Sequence, residues 1–339
     1  MTIQMVNADY GMCGQIRVNW PAQYLQVCGL DIINSRRLFA GFATDAYFVQ
    51  RCAEKKIFDI LSKTNATRII DFDDMLFKLY GEELPDFNFV KSKIDLNATT
   101  EALQNGLQYI DKVTVSTDYL KKAFIDNFNY DRVEVVPNLL PRWIFHFDRK
   151  PYKEDNITRP TILFAGSTTH FGDKGLGDFT TGLVDYLHNE IDNINLIFIG
   201  KLPHFLEDVK DKVTVLPYVD VLQYPEYINS INADFIIAPL KECVFNKCKS
   251  NLKYLEACAI GSVLIGSVFE DSPYSMIDKD AQIQKTMTSK HIKKLIDNLC
   301  DKDVYNRILD KQYTYINSMW LENNIEKYAN LFKCAKVKV

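Results

Sequence analysis

Residues 233–267 read ADFIIAPLKECVFNKCKSNLKYLEACAIGSVLIGS. The runs ADFIIAP and SVLIGS at its two ends are short, β-rich and continuously apolar through FIIA and VLIG. Between them a polar loop leads into residues 249–259, where Ser250, Lys253 and Glu256 recur every three positions, a helical spacing that stops at Gly261. Two strands that are apolar rather than alternating, joined by a crossover helix, belong to a parallel sheet covered on both faces.

The same pattern extends outward. Upstream lie TILFAG (161–166), NLIFIG (195–200) and VTVLPY (213–218), with helical segments at 178–190, 222–231 and 289–300. An earlier series holds TIQMVNAD (2–9), AYFVQ (46–50), TRIIDF (67–72), KVTVST (112–117) and RVEVVPN (132–138), with helical stretches reaching Leu25 and spanning 54–63 and 118–128. A polar connector with Pro, Arg and Trp, near 141–160, separates the two series. The chain therefore reads as α/β, two doubly wound parallel-sheet domains over 1–145 and 161–301 with 146–160 as connector. Residues 302–339 have helical periodicity and no strand signal, and are expected to close across the domains.

A length of 339 residues suits two domains. With 40 basic and 44 acidic residues the net charge is −4, and the pI is near 5.8, so the whole chain is no glove for nucleic acid or an anionic membrane. Eight cysteines are scattered without C-x-x-C spacing or a matching histidine, which predicts free thiols. No stretch has the apolar length of a secretion signal or a membrane span, so a cytoplasmic protein is expected.

Ligands of doubly wound sheets bind beyond the carboxyl ends of the strands, so the residues that follow each strand carry the candidates. After the first strand, 11–17 (GMCGQIR) opens a helix with two glycines; it is a ligand loop or a packing turn, and its spacing is not that of a dinucleotide fingerprint. Gln50 and Arg51 follow the strand AYFVQ. Asp71, Asp73 and Asp74 follow TRIIDF, either as a working acidic cluster or as a turn capping a helix over MLFKLY. The loop of Ser167, His170 and Lys174 offers hydroxyl, imidazole and ammonium groups suited to a phosphate. On the helix after 249, Lys249 and Ser250 stand at the N-terminus and Lys253 and Glu256 follow on one face, as site groups or simply as i,i+3 partners.

Here the motifs converge. S-x-x-K-x-x-E-x-x-x-x-G after a strand ending A-P-L resembles the donor-site helix of retaining, nucleotide-sugar-dependent glycosyltransferases of the GT-B fold. A-G-S-x-T-H-x-x-D, Q-R, D-x-D-D, V-S-T-x-Y-L and V-P-N, in that order, resemble a family-4-like bacterial and phage branch, over roughly residues 3–270. The resemblance implies two Rossmann-like domains facing a cleft, with a UDP- or GDP-linked sugar as donor substrate and no further cofactor or metal. By it, Glu256 binds the ribose, while Lys253, Ser250 and Lys249 take the diphosphate or sugar. The His170 to Lys174 loop with Ser167 takes the phosphates, and Gly14 and Arg17 face them across the cleft. Lys253 is the expected stabiliser of the leaving group.

Two departures stand out. The glutamate that the family places eight residues before the ribose-binding one falls on Cys248, and residues 1–145 contain no histidine. Asp73 or Asp74 is the expected substitute for the polar work on that wall. The acceptor is expected on the first domain, as a glycan, a lipid-linked saccharide or a hydroxymethylated base of viral DNA, which would have to be flipped out. Residues 34–68 carry seven basic against three acidic groups among aromatics, a surface suited to such acceptors. A two-domain binding protein without turnover is the competing reading.

Overall fold

Each apolar run becomes a strand because burial on both faces leaves no position for water. The computed structural model describes residues 1–9, 11–39, 43–51, 53–78, 96–167, 170–171 and 175–332. The first sheet contains β1 (Thr2–Val6), β2 (Asp31–Ser35), β3 (Ala46–Gln50), β4 (Thr67–Phe72), β5 (Lys112–Val115) and β6 (Val133–Val135), in the order β2-β1-β3-β4-β5-β6. The second contains β7 (Thr161–Phe164), β8 (Asn195–Ile199), β9 (Thr214–Leu216), β10 (Phe235–Ala238), β11 (Val263–Ser267) and β12 (Gln282–Ile283), in the order β12-β11-β10-β7-β8-β9. Every pairing is parallel. All five residues of β3 and of β11 are buried, as strands covered on both faces require.

The strand orders locate the crevices. In the first sheet the winding reverses between β1 and β3, and in the second between β7 and β10. A doubly wound sheet opens to ligands at such a reversal, beyond the carboxyl ends of the two strands. Those ends carry Asn7, Asp9, Gly11 and Arg51 on one side, and Ser167, His170 and Lys241 on the other.

Some elements differ from expectation. The strands β2 and β12, at the sheet edges, and the helix Leu96–Gly106 lack a sequence signal strong enough to anticipate them. No helix forms over 75–78, where MLFK begins. Met75, Leu76 and Phe77 are all buried, which one face of a surface helix cannot achieve, and the Lys78 amide donates to Thr100 Oγ1 at 2.9 Å.

After the helix Lys302–Ser318 the chain returns to the first sheet. Leu140 and Trp320 form an isolated parallel bridge, and the short helices Leu321–Asn324 and Glu326–Leu331 follow. Tyr328 packs its ring 6.1 Å from that of Phe48 and donates to Ile16 O at 3.4 Å. Among the described residues no helix is long and apolar enough to cross a membrane.

Candidate functional site

A cleft of about 720 Å³ runs between the carboxyl ends of the two sheets. The first sheet contributes Gly11, Met12, Cys13, Asp73, Asp74 and Asn138, and the second contributes Ser167, His170, Tyr218, Tyr224, Lys249, Ser250, Lys253 and Glu256, among others.

The helix Leu252–Ile260 dominates the second wall. Asn251 is its N-cap residue, yet its side chain makes no capping bond; the amide donates instead to the Tyr315 hydroxyl at 2.8 Å. Tyr254 N donates to Asn251 O at 2.9 Å, so it is the Leu252 and Lys253 amides, with no side-chain cap, that present the positive helix end to the cleft. At the other end Gly261 adopts φ +68°, and a Cβ there would meet the Tyr313 hydroxyl at 2.4 Å, so the helix can stop only on glycine.

In the first turn of that helix Lys253 Nζ lies 2.7 Å from Glu256 Oε2 and 2.9 Å from the Tyr224 hydroxyl, which itself donates to Glu256 Oε2 at 3.0 Å. Glu256 is buried, so its charge depends on these donors. Burial favours the neutral amine of Lys253, but the Glu256 carboxylate outweighs it and holds the ammonium protonated. Burial pushes the Tyr224 phenol up, which keeps it a donor. Tyr224 carries no motif; only the packing of its helix, Tyr224–Ser230, against the Leu252–Ile260 helix brings it here.

His170 binds Asp178 Oδ2 through Nδ1 at 2.7 Å, and the buried Asp178 also accepts from the Lys241 amide (2.9 Å) and Asn246 Nδ2 (2.7 Å). The Asp178 carboxylate thus ties the loop after β7 to the loop after β10. Ser167 lines the same crevice, whereas Lys174 lies outside the described residues. Tyr218 covers Gly200 so closely that a Cβ there would stand 2.0 Å from the ring; the tyrosine is 55% exposed, which leaves its ring to the cleft.

The first wall corrects two expectations. Arg17 does not face the cleft: it is fully buried, with Nε and Nη2 on the two oxygens of Asp71 at 3.1 and 2.5 Å and Nη1 on Asn138 Oδ1 at 3.1 Å. It sits in a π-helical turn, Gln15–Asn19, where four consecutive residues are buried, a pattern that a regular surface helix does not give. Gly14 is likewise beneath the surface. A Cβ on it would lie 2.0 Å from the Asp9 carbonyl oxygen and 2.4 Å from Asn7 Oδ1, so glycine is there for the close approach of loop and helix.

Asp73 is also spoken for. Arg51, at φ +52° just past β3, grips it through Nε (2.6 Å) and Nη2 (2.8 Å) and reaches Asp9 through Nη1 (2.6 Å). Burial pushes the Asp73 carboxyl up, but the guanidinium prevails and holds it below the usual carboxylate range; burial and Asp73 together push the Cys13 thiol up. With Asp71 on Arg17 and Asp73 on Arg51, the D-x-D pattern is a pair of ion pairs. No group of three His, Cys, Asp or Glu among the described residues is placed to hold a metal ion. Asp74 is different: Oδ1 accepts the Met75 amide at 3.0 Å, and Oδ2 stands 3.8 Å from Lys249 Nζ on the opposite wall.

The walls touch at a second place. Phe245 and Cys248, from the loop after β10, are buried in the hydrophobic cluster of the first domain, and Thr117 Oγ1 donates to Cys248 O at 3.2 Å. Cys248 is thus a packing residue, which explains its apolar character where a carboxylate was the family expectation.

No protein-family model matches the chain, and no curated protein sequence matches it significantly. Solved structures do match in shape. A glycosyltransferase from Rickettsia africae superposes with a TM-score of 0.65 at 14% identity, over 98% of this chain and 97% of its own. HepE of Anabaena, in complex with UDP-glucose, gives 0.60 at 9% identity over 98% and 100%. WaaG, a glycosyltransferase of lipopolysaccharide biosynthesis, gives 0.57 at 13% identity over 99% and 100%. Two six-stranded parallel sheets with their carboxyl ends facing one cleft are the two Rossmann-like domains of the GT-B fold.

Proposed function

We propose that the protein transfers a sugar from a nucleotide-diphosphate donor, UDP- or GDP-linked, to a hydroxyl of a saccharide acceptor with retention of configuration. The observation that carries this reading is the Lys253, Glu256 and Tyr224 cluster beside an uncapped helix N-terminus, with Lys249 and Ser250 on the same rim. Glu256 offers a buried carboxylate to a ribose diol. The helix N–H groups, Lys249, Lys253 and Ser250 offer donors to a diphosphate, and His170 and Ser167 lie where its far oxygens would rest. Tyr218 offers an aromatic face to the base. As the sugar leaves, negative charge grows on the diphosphate, and positive groups aimed at it lower the barrier.

The bound form of Lys253 supports this role, since the ammonium stays charged throughout the physiological range. Arg51 holds Asp73 away from service as a nucleophile, so the retaining course proposed here is attack on the face the leaving group vacates and not a double displacement through Asp73. Metal-free action in the cytoplasm belongs to the same proposal. Solved neighbours in complex with UDP-glucose, and one of lipopolysaccharide biosynthesis, agree with a UDP-sugar and a glycan. The net charge of −4 opposes a polyanion, so a saccharide fits the acceptor side better than DNA.

Incubation with a panel of nucleotide sugars and saccharide acceptors tests the reading. Acceptor-dependent release of nucleotide, with NMR showing the donor's anomeric configuration in the product, is the expected result. Tight donor binding without release would instead favour a binding protein, and an inverted anomer would exclude the retaining course.

A further inference from the structure

A buried chain of hydrogen bonds crosses from the first domain into the rim of the donor helix. Thr114 Oγ1 donates to Asp71 Oδ1 at 2.7 Å, Asp71 holds Arg17, Arg17 Nη1 donates to Asn138 Oδ1, and Asn138 Nδ2 donates to Ser250 Oγ at 2.8 Å. Arg17 and Asp71 are fully buried, and Asn138 is 4% exposed. Arg17 Nη1 also donates to the carbonyl of Val136, two residues before Asn138.

Donor chemistry gives this chain one direction. A guanidinium has only N–H donors and stays protonated, so the atom that Asn138 turns toward Arg17 must be its carbonyl oxygen. The amide nitrogen is thereby turned toward Ser250, and Ser250 Oγ must accept. A serine hydroxyl that accepts from one side keeps its single O–H for another partner. Ser250 lines the cleft beside Lys249 and Lys253.

We infer that Arg17 and Asn138 are positioning residues that hold Ser250 as a hydrogen-bond donor toward an anionic diphosphate oxygen, so that the first domain sets the polarity of the phosphate rim on the second. The inference rests on the reading of the cleft as a nucleotide-diphosphate site. It assigns to Arg17 a role through Asn138 and Ser250, without contact to the ligand.

Asn138→Asp tests the direction of the chain. The carboxylate would still accept from Arg17, but it can no longer donate and would draw the Ser250 proton to itself; because it adds a second negative charge beside the Arg17–Asp71 pair, circular dichroism and a urea midpoint must show the native fold before its affinity is read. Calorimetric and competition measurements are made with UDP, GDP, uridine and guanosine on the intact chain. The wild type should bind one of the diphosphates. Asn138→Asp should then lose about tenfold or more in affinity for that diphosphate, the scale of a hydrogen bond to a charged group, with its nucleoside little changed. Ser250→Ala, which leaves the buried pair untouched, should show the same selective loss, and the double variant should be no worse than Ser250→Ala alone. Equal losses for diphosphate and nucleoside, additive effects of the two substitutions, or a diphosphate affinity unchanged in Ser250→Ala would each overturn the inference while leaving the donor site in place. A wild type that binds neither diphosphate would overturn the donor-site reading itself, and this inference with it.

Discussion

Lys253→Met separates two contributions of one ammonium group. In the native protein its Nζ is 2.7 Å from Glu256 Oε2 and 2.9 Å from the Tyr224 hydroxyl. Methionine keeps much of the stem's volume and deletes the charge, so the Glu256 carboxylate, 1% exposed, retains Tyr224 as donor. Stranding one ion of a fully buried pair costs about 3–5 kcal/mol. The Lys253 side chain is 26% exposed along the cleft, so water reaches the gap, and a loss of about 2 kcal/mol is expected. Turnover should fall further, by about 10²–10³, the effect of removing one preorganised group from a developing negative charge. The double variant Lys253→Met with Glu256→Gln removes both charges. Its urea midpoint should return toward that of the native protein because the amide still accepts from Tyr224, while nucleotide release stays low. Recovery of turnover at saturating donor, where the lost Glu256 contact to the ribose no longer counts, would show that Lys253 acts only by holding Glu256, and would refute its role at the leaving group.

Arg51→Ala should cost about 3 kcal/mol at neutral pH, because it leaves the buried Asp73 carboxylate without its bidentate partner. Arg51 holds the Asp73 carboxyl below its ordinary value despite burial. The stabilisation is therefore complete above the unfolded carboxylate value of about 3.9 and is lost as pH falls through the lower folded one. Chemical unfolding at a series of pH values should show the gap between variant and native protein closing in acid; a gap that widens would contradict the assignment. Chelator-treated protein should keep its turnover, since Asp71 and Asp73 already carry guanidinium partners; loss restored by Mn²⁺ would contradict that. Acceptor affinity should rise when a nucleoside diphosphate is present, because phosphate oxygens replace Asp74 as the counter-ion of Lys249 and free its carboxylate for a hydroxyl; calorimetry showing equal affinity with and without the nucleotide would exclude this order.

The fold was legible where burial is two-sided. Strands such as FIIA and VLIGS are buried at each position and almost wholly apolar because helices cover both faces, and such a run between turn residues is hard to mistake. Edge strands give no such run. In β2 the sequence DIINS buries only Ile32 and leaves Asp31 and Asn34 exposed, so composition alone reads it as loop. The helix Leu96–Gly106 escapes for a related reason: it buries a narrow stripe of Leu96, Thr100, Leu103 and Gly106, in which two of the four residues are not hydrophobic.

The site divides along a different line, between charges that are available and charges already paired. Glu256, Lys253, Ser250 and Lys249 share one helix and its N-terminal approach, so their spacing alone brings them together on one rim. Arg17 and Asp71 are 54 positions apart, as are no residues that a local pattern can join, and each by itself is a polar group near a strand end. Arg51 and Asp73 meet across two neighbouring strands, 22 positions apart. A buried ion is tolerated only when its partner is close and its remaining hydrogen bonds are made. That condition concerns two segments at once, so the identity of a strand-end aspartate cannot reveal whether it faces a substrate or an arginine. Asp71, Asp73 and Asp74 stand within four positions of one another and have three fates: scaffold, scaffold at the cleft wall, and a carboxylate opposite Lys249. What separates them is which arginine the first helix and the end of β3 bring within reach, and that is decided by the winding of the sheet.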